Sequence, residues 1–166
     1  MQLTRQKKTP HSLVGLDIEA GSVAATEVSV NGSARVKTAA VEPLAAGVFH
    51  EGEIVDAEAL AETLKELFAK HKLSKRVRLG LGNQGIVVRT LRLPAIEDPK
   101  ELAAAVRFQA QEAMPMPLEQ AVLEHQVVGG APGEEGAPAQ LVVVVVAARR
   151  EVVSSFLKPL SDAGLE

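Results

Sequence analysis

A chain of 166 residues, 46% hydrophobic and 23% charged, is long enough for one domain or for two small ones sharing an interface. It has no Cys, Trp or Tyr and four Phe, which excludes disulfide and thiolate chemistry and leaves almost nothing for base-stacking surfaces. A net charge of −3 argues against a nucleic-acid partner, and no apolar stretch approaches the roughly 18 residues of a membrane span.

The opening residues, MQLTRQKKTPH, are polar and basic with no apolar run behind them. They read as a disordered tail over residues 1–11 and not as a signal peptide, with weak membrane-surface contact through Arg5, Lys7 and Lys8 as the alternative. Leu13, Val14 and Leu16 then form an apolar run that ends at Asp17, and a small-residue turn through Gly21 and Ser22 leads into a second strand, Val23–Val30. Strand, turn and returning strand gather backbone N–H groups and a carboxylate at one point, and concave N–H arrays hold anions such as phosphate. Any hairpin tip needs small residues too, so the turn alone specifies nothing.

Asn31-Gly32 predicts a hairpin into a third strand, Ala34–Val41, where Arg35 and Lys37 alternate with Val36 and Thr38 as one wet face requires. A loop precedes a helix at Ala57–Lys70, with Asp56 placed to cap it. Leu60, Leu64, Leu67 and Phe68 share its inner face, and Glu58, Glu62, Glu66 and Lys70 its solvated one. A fourth strand, Arg76–Leu81, completes β-β-β-α-β, a mixed sheet with a helix on at least one face.

The turn Gly82–Gly85 separates a second unit. It reads as a strand at Ile86–Pro94 and a helix that starts at Asp98-Pro99-Lys100-Glu101 and stops near Ala113, before Met114-Pro115-Met116-Pro117. Strands at Ala121–Val128 and Leu141–Ala148 follow, joined by a polar Gly/Pro/Glu loop. Five consecutive Val in the latter predict burial on both faces. A last helix, Glu151–Ala163, is expected to bend at Pro159, with Gly164 just past its end.

VGLDI at Val14–Ile18, GEIVDAEALAETLKEL at Gly52–Leu67, VVRTLRLP at Val87–Pro94 and AVRFQAQEAMPMPLEQAVLEHQVVG at Ala105–Gly129 occur in that order. Together they resemble the N-terminal part of the PilM family, actin-like proteins of type IV pilus assembly related to the division protein FtsA. The resemblance runs from Leu13 to Leu165. It implies an α/β (α+β) fold: an actin-like, ribonuclease-H-type mixed-sheet subdomain over residues 12–82, an SHS2-type strand-helix-strand-strand subdomain over 83–148, and a helix over 149–166 returning to the first subdomain, truncated before the second half. It also implies a cytoplasmic scaffold at the inner face of the cell membrane. Such a scaffold binds the N-terminal tail of a PilN-like inner-membrane protein between the two subdomains, with self-association a further expectation. An actin-like ATPase or small-molecule kinase with a degenerate phosphate loop, and an FtsA-like division protein, share the same subdomain order and stand as alternatives.

The resemblance marks Asp17, Gly21 and Ser22 as nucleotide-binding candidates, with ATP and Mg the cofactors of a full-length relative. Asp17 and Ser22 also read as caps of the hairpin turn, the reading that the altered loop favours. Glu19 stands where the family has Gly, and Ala24 where it has Lys or a similar polar residue; a second carboxylate repels a phosphate and a Cβ blocks close backbone approach. No carboxylate pair offers general acid–base catalysis, so no catalytic residue is assigned, and His11, His50, His71 and His125 lack metal-ligand spacing. Arg89, Arg92, Phe108, Met114 and Met116 are the candidates for partner binding. Arg89 and Arg92 project from opposite faces of one strand, so one at most lines a given groove. Phe108 lies off the stripe of Leu102, Ala105, Val106, Ala110 and Ala113, which means either a helix packed on two sides or a contact surface. Met114 and Met116 form either an adaptable apolar rim or core filling.

Overall fold

The computed structural model describes residues 11–82, 84–131 and 139–166. The basic tail with Arg5, Lys7 and Lys8, and most of the Gly/Pro/Glu loop, lie outside the described residues. In chain order the elements are β1 (His11–Glu19), β2 (Ser22–Asn31), β3 (Ser33–Pro43), β4 (Phe49–His50), β5 (Glu53–Ile54), α1 (Ala57–His71), β6 (Val77–Leu79), β7 (Ile86–Pro94), α2 (Pro99–Ala113), β8 (Ala121–Ala131), β9 (Gln140–Arg149) and α3 (Arg150–Asp162). A single 3-10 turn, Leu118–Gln120, precedes β8. The chain divides into two compact units, one of residues up to Gly82 with Ser155–Glu166, the other of residues from there to Ser154.

In the first unit a four-stranded sheet has the order β3-β2-β1-β6. Tight turns make β1–β2 and β2–β3 antiparallel, and the crossover through α1 returns β6 parallel to β1. Glu19 pairs with Ser22, and Gly21 at φ +96° takes the left-handed position of that turn. At the next turn only Gly32, at φ +77°, separates the paired Asn31 and Ser33, one residue fewer than the two-residue Asn-Gly turn expected. Val14, Leu16 and Ile18 of β1 and Val23 and Ala25 of β2 alternate inward. They meet Leu60, Leu64, Leu67 and Phe68 of α1, together with Leu160 and Leu165 from the C-terminal segment. Asp56 caps α1 as expected, accepting from the N–H groups of Glu58 and Ala59 at 3.1 and 3.0 Å.

Three local expectations are corrected. β3 does not alternate simply: Thr38 pairs with Glu27 and Val36 with Val28, so Lys37 is the extra residue of a β-bulge. An inserted residue flips the parity of everything beyond it. Val36 and Val41 therefore share the face away from the core, 66% and 65% exposed. The loop before α1 contains the hairpin β4–β5, whose two-residue strands are too short to carry a period. β6 covers only Val77–Leu79, leaving Leu81 beyond its end.

In the second unit the sheet order is β7-β9-β8, all antiparallel, with β9 central. Asp98 caps α2 through the Lys100 N–H at 2.8 Å with Pro99 in the first turn, and the helix ends at Met114 in extended backbone before Pro115. Leu102, Val106 and Ala110 of α2 cover one face of the sheet, where Val143, Val145 and Ala147 are fully buried. The five-Val strand is thus buried on one face and not on both: Val142, Val144 and Val146 are only half-buried. α3 runs continuously through the buried Pro159.

Candidate functional site

β1 and β6 run parallel and side by side, so their C-terminal ends open at the same edge of the first sheet. Crevices outside the carboxyl ends of parallel strands are common ligand sites. A pocket of about 450 Å³ lies there. Asp17 and Glu19 come from the end of β1, and Gly80, Leu81 and Gly82 from the segment after β6. Ile18 and Ala20 line it next to Asp17 and Glu19, and Phe49 and Gly52 of the β4–β5 hairpin and Phe156 of α3 complete the lining. Phe49 and Phe156 meet edge to face, with ring centroids 6.2 Å apart and an interplanar angle of 68°.

Both pocket carboxylates are exposed, and neither has a cationic partner among the described residues. The lining includes no Lys or Arg. Gly21 and Ser22 sit at the hairpin tip outside the lining, and the Gly21 carbonyl accepts from the Leu44 N–H at 2.9 Å. Of the three nucleotide-binding candidates, Asp17 alone faces the pocket. The lining therefore offers carboxylate oxygens, which can face a cation, and no cationic side chain to hold the oxygens of a polyphosphate.

The partner-binding candidates all belong to the second unit, and the fold does not gather them. Arg89 is exposed and donates from Nη1 to the Val88 carbonyl at 2.9 Å. Arg92 is exposed on the opposite face, beside Val142 of β9. Phe108 is 71% exposed, off the inward stripe of Leu102, Val106 and Ala110, beside which Ala105 also packs on the core. Met114 is a core residue, packed with Val106, Leu118 and Val145, and presents little surface to a partner. Met116 is half-buried against the same core.

One polar cluster was not read from the sequence. Glu27 is 8% exposed, on the inward parity of β2 with Val23 and Ala25. It accepts from the Ser12 hydroxyl and from the Ser74 N–H, the latter at 3.4 Å, and pairs with Lys37 at 3.5 Å. The Ser12 hydrogen bond, with the Ser74 N–H and the Lys37 charge, holds its carboxyl below the usual range against the opposing effect of burial. The available signal was its parity, a lone carboxylate at an inward position. Its partner Lys37 was hidden because only the bulge turns that side chain toward the core side.

The family model for the type IV pilus assembly protein PilM matches residues 15–166. A chain of the solved PilM-PilN type IV pilus biogenesis complex is 30% identical, with a TM-score of 0.77. The match covers 95% of this chain and 46% of that one, so this chain spans about half the length of that relative. Two solved structures of the Ppx/GppA family from Aquifex aeolicus, 22% and 20% identical, match over 43% of this chain and 26% of theirs at a TM-score of 0.31. The mixed α/β, actin-like architecture that the resemblance implies is the one observed. On the family match over residues 15–166 and the fold shared with the PilM-PilN structure, the chain belongs to the PilM family of type IV pilus assembly proteins.

Proposed function

We propose that this chain works in type IV pilus assembly as a non-enzymatic adaptor that binds the cytoplasmic N-terminal tail of a PilN-like inner-membrane protein. The observation that carries the reading is the match to a PilM-PilN complex, 30% identical across nearly the whole of this chain. Physical support comes from what an extended tail needs: main-chain partners along a strand edge and apolar pockets for alternate side chains. The second sheet has β7 and β8 as its two edges, and Arg89 and Phe108 are exposed in the same unit. The pocket at the end of β1 supports a scaffold over an ATPase, because its lining offers no cationic side chain to phosphate oxygens. Peripheral attachment at the inner face of the cell membrane follows from the partner. Among the described residues no helix is long and apolar enough to cross a membrane.

The test is a calorimetric titration of the folded chain with a synthetic peptide of the tail of the PilN-like protein from the same organism. Saturable binding in the micromolar range is expected. No heat at high micromolar peptide, with the chain shown folded by circular dichroism, overturns the reading.

A further inference from the structure

The face of the second sheet that α2 does not cover carries Val142, Val144 and Val146 in a row along β9. Register places Val88, Thr90 and Arg92 of β7 beside Val146, Val144 and Val142, and on the other side Glu124 and Gln126 of β8 beside Val146 and Val144. Arg92 and Glu124 therefore stand at diagonally opposite corners of a valine-centred face. Both are exposed, neither has an ion-pair partner among the described residues, and Val88 is 54% exposed.

We propose that this face is a self-association surface whose occupant is the same face of a second copy, locked by reciprocal Arg92–Glu124 pairs. The argument is charge complementarity. A two-fold axis lying in the interface brings Arg92 of each copy to Glu124 of the other, while the valine rows lie across each other at the centre. With a strand spacing of ~4.8 Å and a rise of ~3.4 Å per residue, that superposition crosses the strands at roughly 70°, in the orthogonal class of sheet packing. The paired charges set register, and valine burial supplies affinity. A three-stranded face is smaller than the roughly 800 Å² per partner of a standard interface, so the dimer is a weak, micromolar one.

Sedimentation equilibrium of the full chain from low to high micromolar tests it. A monomer–dimer equilibrium is expected, with the dissociation constant raised at least about tenfold in Arg92→Glu and in Glu124→Arg, and restored in the double exchange. Unchanged circular dichroism of the single variants separates this effect from misfolding. A monomer at every concentration, or a dimer indifferent to both reversals, overturns the proposal. So does a chain that stays monomeric while Arg92→Glu abolishes binding of the PilN-like tail peptide, which assigns the face to the tail instead.

Discussion

Glu27 accepts a hydrogen bond from the Ser12 hydroxyl between β2 and β1, on the inward face of the first sheet, and the Lys37 ammonium bonds the same hydroxyl at 3.2 Å. A carboxylate at an inward sheet position is costly unless its oxygens are occupied. The bulge supplies Lys37, and the segment after α1 supplies the Ser74 N–H.

Removing this carboxylate leaves the Ser74 N–H and the Ser12 hydroxyl without an acceptor, so Glu27→Ala is expected to lower stability by about 1–3 kcal/mol. Because the folded-state pKa of Glu27 lies below its unfolded value, its contribution is complete above the unfolded pKa and lost as pH falls through the folded one. Denaturant midpoints of the native chain and of Glu27→Gln should differ at neutral pH and converge as pH drops below about 4.3. A gap that is constant down to acid pH refutes the assignment.

The ends of α1 make opposite predictions. Asp56 satisfies two N–H groups at the start, and Asp56→Ala should cost about 1 kcal/mol, whereas Asp56→Ser should cost little. Lys72 closes the other end at φ +52°, a conformation that costs a side-chain-bearing residue roughly 1 kcal/mol or more. Lys72→Gly should relieve part of that and stabilise by several tenths of a kcal/mol, since glycine's greater unfolded-state entropy takes back the rest. The two sites lie a whole helix apart, so the double variant should be additive in urea unfolding.

Legibility in the sequence followed the length of each signal. α1 and α2 carried caps and whole turns of apolar spacing, so their limits were readable almost to the residue. The hairpin β4–β5 has two residues per strand, and the pocket wall it makes with Phe156 therefore went unseen. Lys37 shows the other limit. One inserted residue left the composition of β3 unchanged, yet moved Val36 to the face of Val41 and turned a surface lysine toward a buried glutamate. At the site, Glu19 and Ala24 already signalled an altered loop, but only the fold separates Asp17, inside the pocket, from Gly21 and Ser22, outside it.

The five-valine run offers a direct test of which face α2 covers. Val145 is fully buried, and Val145→Ala removes two buried methyl-sized groups at ~0.8 kcal/mol each and leaves a cavity, for an expected loss of about 2–3 kcal/mol. Val144 points the other way and is half-buried, so Val144→Thr, which keeps β-branching, should stay within about 0.5 kcal/mol. Comparable losses at both positions, measured by urea unfolding at low protein concentration, contradict one-sided packing.

The pocket at the end of β1 predicts what this chain does with nucleotide. Asp17 and Glu19 put two carboxylates in the lining, and no Lys or Arg in that lining balances them. At a separation of a few ångströms, each unit charge of a bare phosphate meets about 1 kcal/mol of repulsion in water and about 4 kcal/mol at the effective dielectric of a protein surface; magnesium offsets part of this, and the lining has no Lys or Arg to supply the rest. Equilibrium dialysis with magnesium ATP should therefore retain no nucleotide on this chain, and Asp17→Ala should change nothing measurable. Relieving the repulsion with Glu19→Gly should not create binding, because Gly21 and Ser22 would still stand outside the pocket. Saturable ATP retention that Asp17→Ala abolishes would overturn the charge argument.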